Sequence, residues 1–104
     1  MAYTHVQTFN PEILYAFDPL NEAGNYSKTH SHNFLEISIL LEGEADYLVD
    51  GERQDVGIGT VMLFNPGVKH AERQKEGTFS HQLHIGLTNV SLNGLPRNHF
   101  PNKR

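Results

Sequence analysis

Residues 24–43, GNYSKTHSHNFLEISILLEG, place His30 and His32 two positions apart and Glu36 four residues further on. Side chains of an extended chain alternate between its faces, so these three even-numbered positions project from one side. Two imidazoles and a carboxylate on one face are potential ligands for a divalent metal. Their nitrogen and oxygen donors suit zinc, iron, nickel, copper or manganese. Ser38 and Leu40 continue the same face. A cavity over it is therefore expected to be polar at the histidine end and apolar beyond, which suits a small polar molecule such as a sugar or a small organic acid. No inward arginine is assignable, so a strongly anionic ligand such as a sugar phosphate is disfavoured.

The elements that must position these groups are read from the rest of the chain. Its 104 residues are enough for one domain and one core. The composition, 38% hydrophobic and 19% charged, is that of a soluble globular protein. A net charge of −4 argues against direct nucleic-acid binding, which needs clustered Lys and Arg. The absence of cysteine excludes disulfides, thiolate chemistry and cysteine-based zinc sites. The N-terminus MAYTHVQTF lacks a charged lead-in followed by an apolar stretch, and apolar runs such as Ile39–Leu41 fall far short of a membrane span. A cytoplasmic location is the expectation.

Short apolar runs recur between Gly and Pro turns. Strands are expected over Ile13–Phe17, Phe34–Leu41, Ala45–Val49, Gln54–Val56, Thr60–Phe64, Val68–Gln74 and Thr78–Leu87. Turns are expected at 21–24, at Glu42-Gly43-Glu44 and at Asp50-Gly51, the last being a type I′ hairpin signal. Thr60–Phe64 is apolar on both faces and reads as a central core strand. The pattern predicts an all-β sandwich or barrel with an arm over 1–23, a core over 24–90 and a tail over 91–104.

A second stretch, GTVMLFNPGVKH at 59–70, joins the first. Together they resemble the cupin family. Gly24, His30, His32, Glu36 and Gly43 meet every spacing of the first cupin motif. Gly59, Gly67 and His70 fit the second, in which Asn65 stands where a proline is expected and Gln74 where an asparagine is. The resemblance implies a double-stranded β-helix, or jelly-roll barrel, with a divalent metal bound by His30, His32, Glu36 and His70. The alternative is a metal-free buried polar network, in which each uncompensated group would cost on the order of kilocalories.

The longer run from Phe34 to His70, followed by HQLHIGLTNVSLNGLP, is similar to the effector-binding cupin at the N-terminus of AraC-type transcription regulators. That likeness implies a sensor of a small-molecule effector, with DNA contacted only through a helix-turn-helix region. No counterpart of that region fits after Leu95, so the chain is expected to be the sensor half of a regulator or a stand-alone relative. The rival expectation is a small metal-dependent oxygenase or isomerase. A homodimer is expected, because small barrels cover exposed strand edges by pairing.

Parity also ranks the cavity's other neighbours. Gln74 is favoured as a lining residue, with Glu72 on the same face read as a solvated strand position. His81 and His84 have opposite parity, so only one faces inward. The apolar company of His81 favours its face as the packed one, whereas His84, among Ser80, Gln82 and Gly86, would line a polar cavity. Tyr47 is open between core and interface. His5 and His99 lie near the ends and are read as solvated.

Overall fold

The computed structural model describes residues 10–22 and 27–101. Gly24 of the first motif, Tyr26, His5, the end of the expected 21–24 turn, and the outer parts of the arm and tail lie outside the described residues. Seven strands and no helix make up the described chain: β1 (Glu12–Phe17), β2 (Leu20–Asn21), β3 (Leu35–Val49), β4 (Glu52–Gly57), β5 (Val61–Phe64), β6 (His70–Arg73) and β7 (Ser80–Thr88). No helix is long and apolar enough to cross a membrane.

All pairings are antiparallel and centre on β3, which is long enough to belong to two leaves. Its first half pairs with β5 on one side and β7 on the other, and β7 also carries β1 and β2. Its second half pairs with β4 and β6. The two leaves fold toward each other around the shared strand and give the jelly-roll architecture expected.

The expected turn at Glu42-Gly43-Glu44 is instead a corner inside one continuous strand. The register shifts between Leu40 and Glu42, and Gly43 adopts φ 81°. A Cβ at Gly43 would lie 2.0 Å from the Phe79 carbonyl oxygen, the same oxygen that accepts the Glu44 N–H at 3.0 Å. A glycine at this place lets the backbone leave one leaf and enter the other without losing its ladder. Asp50-Gly51 joins β3 to β4 with both φ values positive, 48° and 84°, as a type I′ turn requires.

The core is formed by Leu40, Ala45, Tyr47, Val56 and Phe64, with Val49, Met62 and Val68 packed against it. β5 is not the central strand its two apolar faces suggested. Its only ladder among the described residues is with β3, and Val61 and Leu63 point outward, 56% and 42% exposed. They belong to an apolar outer face in which Leu63, Ile37, Ile85 and Ala16 stand in one row across the leaf and Val61, Ile39 and Leu83 in the next.

The departures from the second motif have local roles. Asn65 donates through Nδ2 to the Phe100 carbonyl at 3.1 Å and accepts the Phe100 N–H at 2.9 Å, fastening the tail to the turn after β5. Gln74 donates to the Glu44 carbonyl at 2.6 Å and the Thr78 hydroxyl at 2.7 Å, and accepts from Ser80 at 2.8 Å. It braces the β3 corner against the β6–β7 turn.

This corner gives a stability test. Gly43→Ala is expected to destabilise by several kilocalories, about 3 kcal/mol or more, because it adds a backbone clash to a left-handed φ. Gly77→Ala, at φ 77° with open space around the added carbon, should cost only about 1 kcal/mol. Urea unfolding of both variants checks this, and equal losses would mean that the close approach to Phe79 does not matter.

Candidate metal centre

The inward face of the first leaf is laid out in rows by strand register. Glu36 on β3 stands beside Gly86 on β7, which pairs in turn with Tyr15 on β1. In the next row Ser38 stands beside His84, which pairs with Phe17. Because Gly86 has no side chain, the Tyr15 ring lies over it, and an added Cβ would sit 2.4 Å from the ring. The Tyr15 hydroxyl thereby reaches Glu36 and donates to Oε2.

The histidines arrive from two other segments. An isolated bridge between residues 30 and 70 brings the segment before β3 against the start of β6, with N–H to carbonyl bonds of 2.9 Å in both directions. The His30, His32 and His70 rings then face one another with centroids 4.4 to 5.2 Å apart. Phe64 stacks on His70 at 4.0 Å and Phe34 on His32 at 4.5 Å, which fixes the ring planes. One ligand atom from each of His30, His32, Glu36 and His70 lies within 4.8 Å of all the others.

The hydrogen bonds show which ring nitrogens are available. His30 Nδ1 lies 2.7 Å from the Lys28 carbonyl and His70 Nδ1 3.0 Å from the Val68 carbonyl. A carbonyl can only accept, so each Nδ1 carries the proton and each neutral imidazole presents its Nε2 lone pair inward. His70 Nε2 lies 3.2 Å and His32 Nε2 3.6 Å from Glu36 Oε1. Lone pairs of nitrogen and of a carboxylate repel at such distances unless a positive charge stands between them. His32 Nε2 is in addition buried with no hydrogen-bond partner.

The side chains are held in the states that bind metal. Burial pushes the Glu36 carboxyl up, but the hydrogen bond from His70 when that ring carries a second proton on Nε2, the Tyr15 hydroxyl and the charge of protonated His32 and His70 outweigh it and bring it down to about 2; a cation bound here would take the place of those protons. Burial pushes His32 below its usual value, and the neighbouring His70 and His30 add to this against the pull of Glu36. Tyr15 is raised by burial and by Glu36, so it remains a donor. An ionised carboxylate, neutral imidazoles and an orphaned nitrogen fit a divalent cation.

Beside the centre is a cavity of about 280 Å³. His30, Glu36 and His70 form its metal end, and Ser38, Tyr47, Glu72 and His84 line it further on. Ser38 and His84 are bonded to each other, Oγ to Nδ1, at 2.7 Å. Of the residues expected to line it, Leu40 and Gln74 do not: Leu40 packs in the core and Gln74 braces the corner. Parity had placed Glu72 with Gln74, and the structure reverses their ranking. β6 ends at Arg73, so Gln74 is beyond the ladder, whereas Glu72 sits within it and faces the cavity.

His84's face is the packed one, with Ser80, Gln82 and His84 all buried. His81 points outward, 3.2 Å from Asp18 and 3.6 Å from Glu42. The apolar company of His81 misled because the outer face of this leaf is itself apolar. His99 is half-buried, its Nδ1 2.9 Å from the Arg97 carbonyl. Tyr15, Tyr47 and Gly86 had no spacing signal of their own. They belong to the site only through strand pairing.

Residues 20–79 match the family model described as Cupin domain. Among solved structures, the chain is similar to a cupin-like protein from Thermotoga maritima, at 21% identity and TM-score 0.65, over 73% of this chain and 65% of that one. A cupin protein from Bacteroides fragilis aligns at 20% identity and TM-score 0.68, over 95% and 93%. The polyketide cyclase RemF from Streptomyces resistomycificus aligns at 17% identity and TM-score 0.68, over 88% and 64%. The chain thus spans slightly less than two thirds of the first and third of these. No curated protein matches it significantly.

The site predicts metal binding with a definite pH profile. Imidazole nitrogens must lose their protons to bind metal, so affinity should fall as pH drops through the imidazole range, around 6.5. Glu36, at about 2, stays ionised throughout and adds no dependence there. Calorimetric titration with nickel should give about one ion per chain at pH 7.5, much weaker binding at pH 5.5, and loss of binding in His32→Ala. Affinity that is flat between these pH values would mean the imidazoles are not the ligands.

Proposed function

The chain belongs to the cupin family, and from that premise we propose that it binds one divalent metal through His30, His32, Glu36 and His70 and takes up a small polar molecule in the adjoining cavity. The observation that carries this reading is the orphaned, buried His32 Nε2 among three other converging ligand atoms, whose residues His30, Glu36 and His70 line a cavity. When bound, the metal supplies Lewis-acid attraction for an oxygen of the ligand. The chain's residues do the rest. Tyr15 holds Glu36 in place, the two stacked phenylalanines hold His32 and His70, and Ser38 with His84 offers a polar wall to the bound molecule.

The biological role that the sequence likeness supports is effector sensing, as in the N-terminal domain of AraC-type regulators, with a sugar or small organic acid as effector and DNA contacted by another region. An enzymatic role is the second reading. It is favoured by Ser38–His84, a hydroxyl and an imidazole bonded at 2.7 Å inside the cavity, which is the type of pair that moves protons. The likeness to a polyketide cyclase is compatible with it.

A thermal-shift screen of sugars and small acids on the metal-loaded protein should find a stabiliser whose effect is lost in the double variant His30→Ala, Glu36→Ala. Recovery of the hit unchanged after prolonged incubation, read by NMR, supports sensing, and steady conversion supports the enzyme. A hit that stabilises the double variant equally well contradicts the site.

The reading includes a homodimer. The outer apolar rows through Ile37 and Ile39 form a surface that a second copy of the chain would cover. Sedimentation should show a dimer that becomes monomeric in Ile39→Asp, and a monomeric wild type at high concentration would refute it.

A further inference from the structure

Glu72 presents a feature that metal binding does not use. Its side chain is half-buried and lines the cavity, yet no lysine or arginine pairs with it among the described residues. Its two hydrogen bonds, from Asn21 Nδ2 at 2.9 Å and from Gln82 Nε2, both fall on Oε2. Gln82 is fixed in turn, accepting from the Tyr47 hydroxyl and donating also to Ser80. The Glu72 backbone N–H donates to the Ser27 hydroxyl at 2.9 Å. The carboxylate is thus held by neutral groups, and among the described residues Oε1 has no hydrogen-bond partner and the charge no cationic one.

Its position relative to the metal end follows from the strand. His70 and Glu72 are two residues apart on β6 and share a face, a separation of about 7 Å along the chain. A divalent ion with three neutral imidazoles and one carboxylate keeps a net positive charge at the His70 end. A fixed negative charge stands at the Glu72 end. No lysine or arginine lines the cavity among the described residues. Phe17 and Tyr47 line it as well, and aromatic rings attract cations, quaternary ammonium groups above all.

We propose that the cavity selects small zwitterions, with a carboxylate toward the metal and a cationic group, separated by a short carbon spacer, against Glu72. This rests on the metal-dependent ligand binding argued above and narrows its ligand class. A dicarboxylate would bring its second charge against Glu72, and a neutral sugar would leave that charge unmatched. The geometry therefore ranks zwitterion above uncharged tail above dianion.

Calorimetry on the nickel-loaded full chain tests this with three probes: β-alanine betaine, its carbon isostere in which a quaternary carbon replaces the quaternary nitrogen, and succinate. The betaine should bind at least tenfold more tightly than the isostere, and succinate more weakly than both. In Glu72→Gln the gap between betaine and isostere should close, with affinity for the isostere kept or improved. An isostere or succinate that binds wild type as tightly as the betaine overturns the proposal, and this comparison stands even if Glu72→Gln fails to fold. Absence of nickel binding would remove the metal site and this inference together. Nickel binding without the betaine preference would remove the inference alone.

Discussion

Everything at the centre of this barrel depends on Glu36. Among the described residues it is the only carboxylate in the cluster with the three imidazoles, and its two oxygens face different ways: Oε2 takes the Tyr15 hydroxyl, and Oε1 looks toward His70 and His32. A carboxylate in a largely buried position is stable only if its lone pairs are matched. Matching it requires β1, β3, β6 and the segment carrying His32 to arrive together. The strand order, the glycine corner at Gly43 and the bare face at Gly86 can each be understood as serving that convergence.

The second half of the molecule has the same logic, with neutral groups replacing the cation. Gln82 joins Tyr47, Glu72 and Ser80, and Gln74 joins Ser80 to the β3 corner. These fully engaged amides run from the cavity wall to the point where β3 changes leaf. Packing of the aliphatic core and the polarity of the cavity are therefore not separate features. Leu40, Tyr47 and Phe64 form the floor of the core, while the Tyr47 hydroxyl and the Phe64 ring also orient polar groups of the site.

Much of this was legible in the sequence, because a strand's period of two is strict. Parity put Glu36 and Ser38 on one face of β3, the motif spacing added His70, and Asp50-Gly51 announced its hairpin; His30 and His32, expected on that face by parity, instead precede β3 across a bend at 33–34 and reach the centre through the bridge to His70. Failures occurred where a local signal has two structural meanings. Gly43 flanked by glutamates reads as a turn, but the same positive φ also serves a corner in a continuous strand. Apolar alternation in β5 reads as a core strand, but an unusually apolar outer face gives the same pattern. Gln74 followed parity only as far as the ladder lasts, and β6 ends one residue before it. Tyr15 and Gly86 carry no periodic signal, since their role arises from pairing between β1 and β7, which are far apart in sequence.

A structural centre and a catalytic or sensing centre would share all these contacts. What separates a metal site from a buried polar network is the electron-pair inventory: the Nε2 lone pairs of His30 and His70, the unpartnered His32 Nε2 and a carboxylate converge, and a single proton cannot satisfy them all. X-ray absorption spectroscopy of the protein loaded with one equivalent of nickel reads that inventory directly. Three imidazole nitrogens and a carboxylate oxygen, all at about 2.1 Å, are the predicted shell, and in His32→Ala, where binding is lost, the shell should be water oxygens. A shell of water oxygens with one imidazole or none in the wild type would contradict the metal centre.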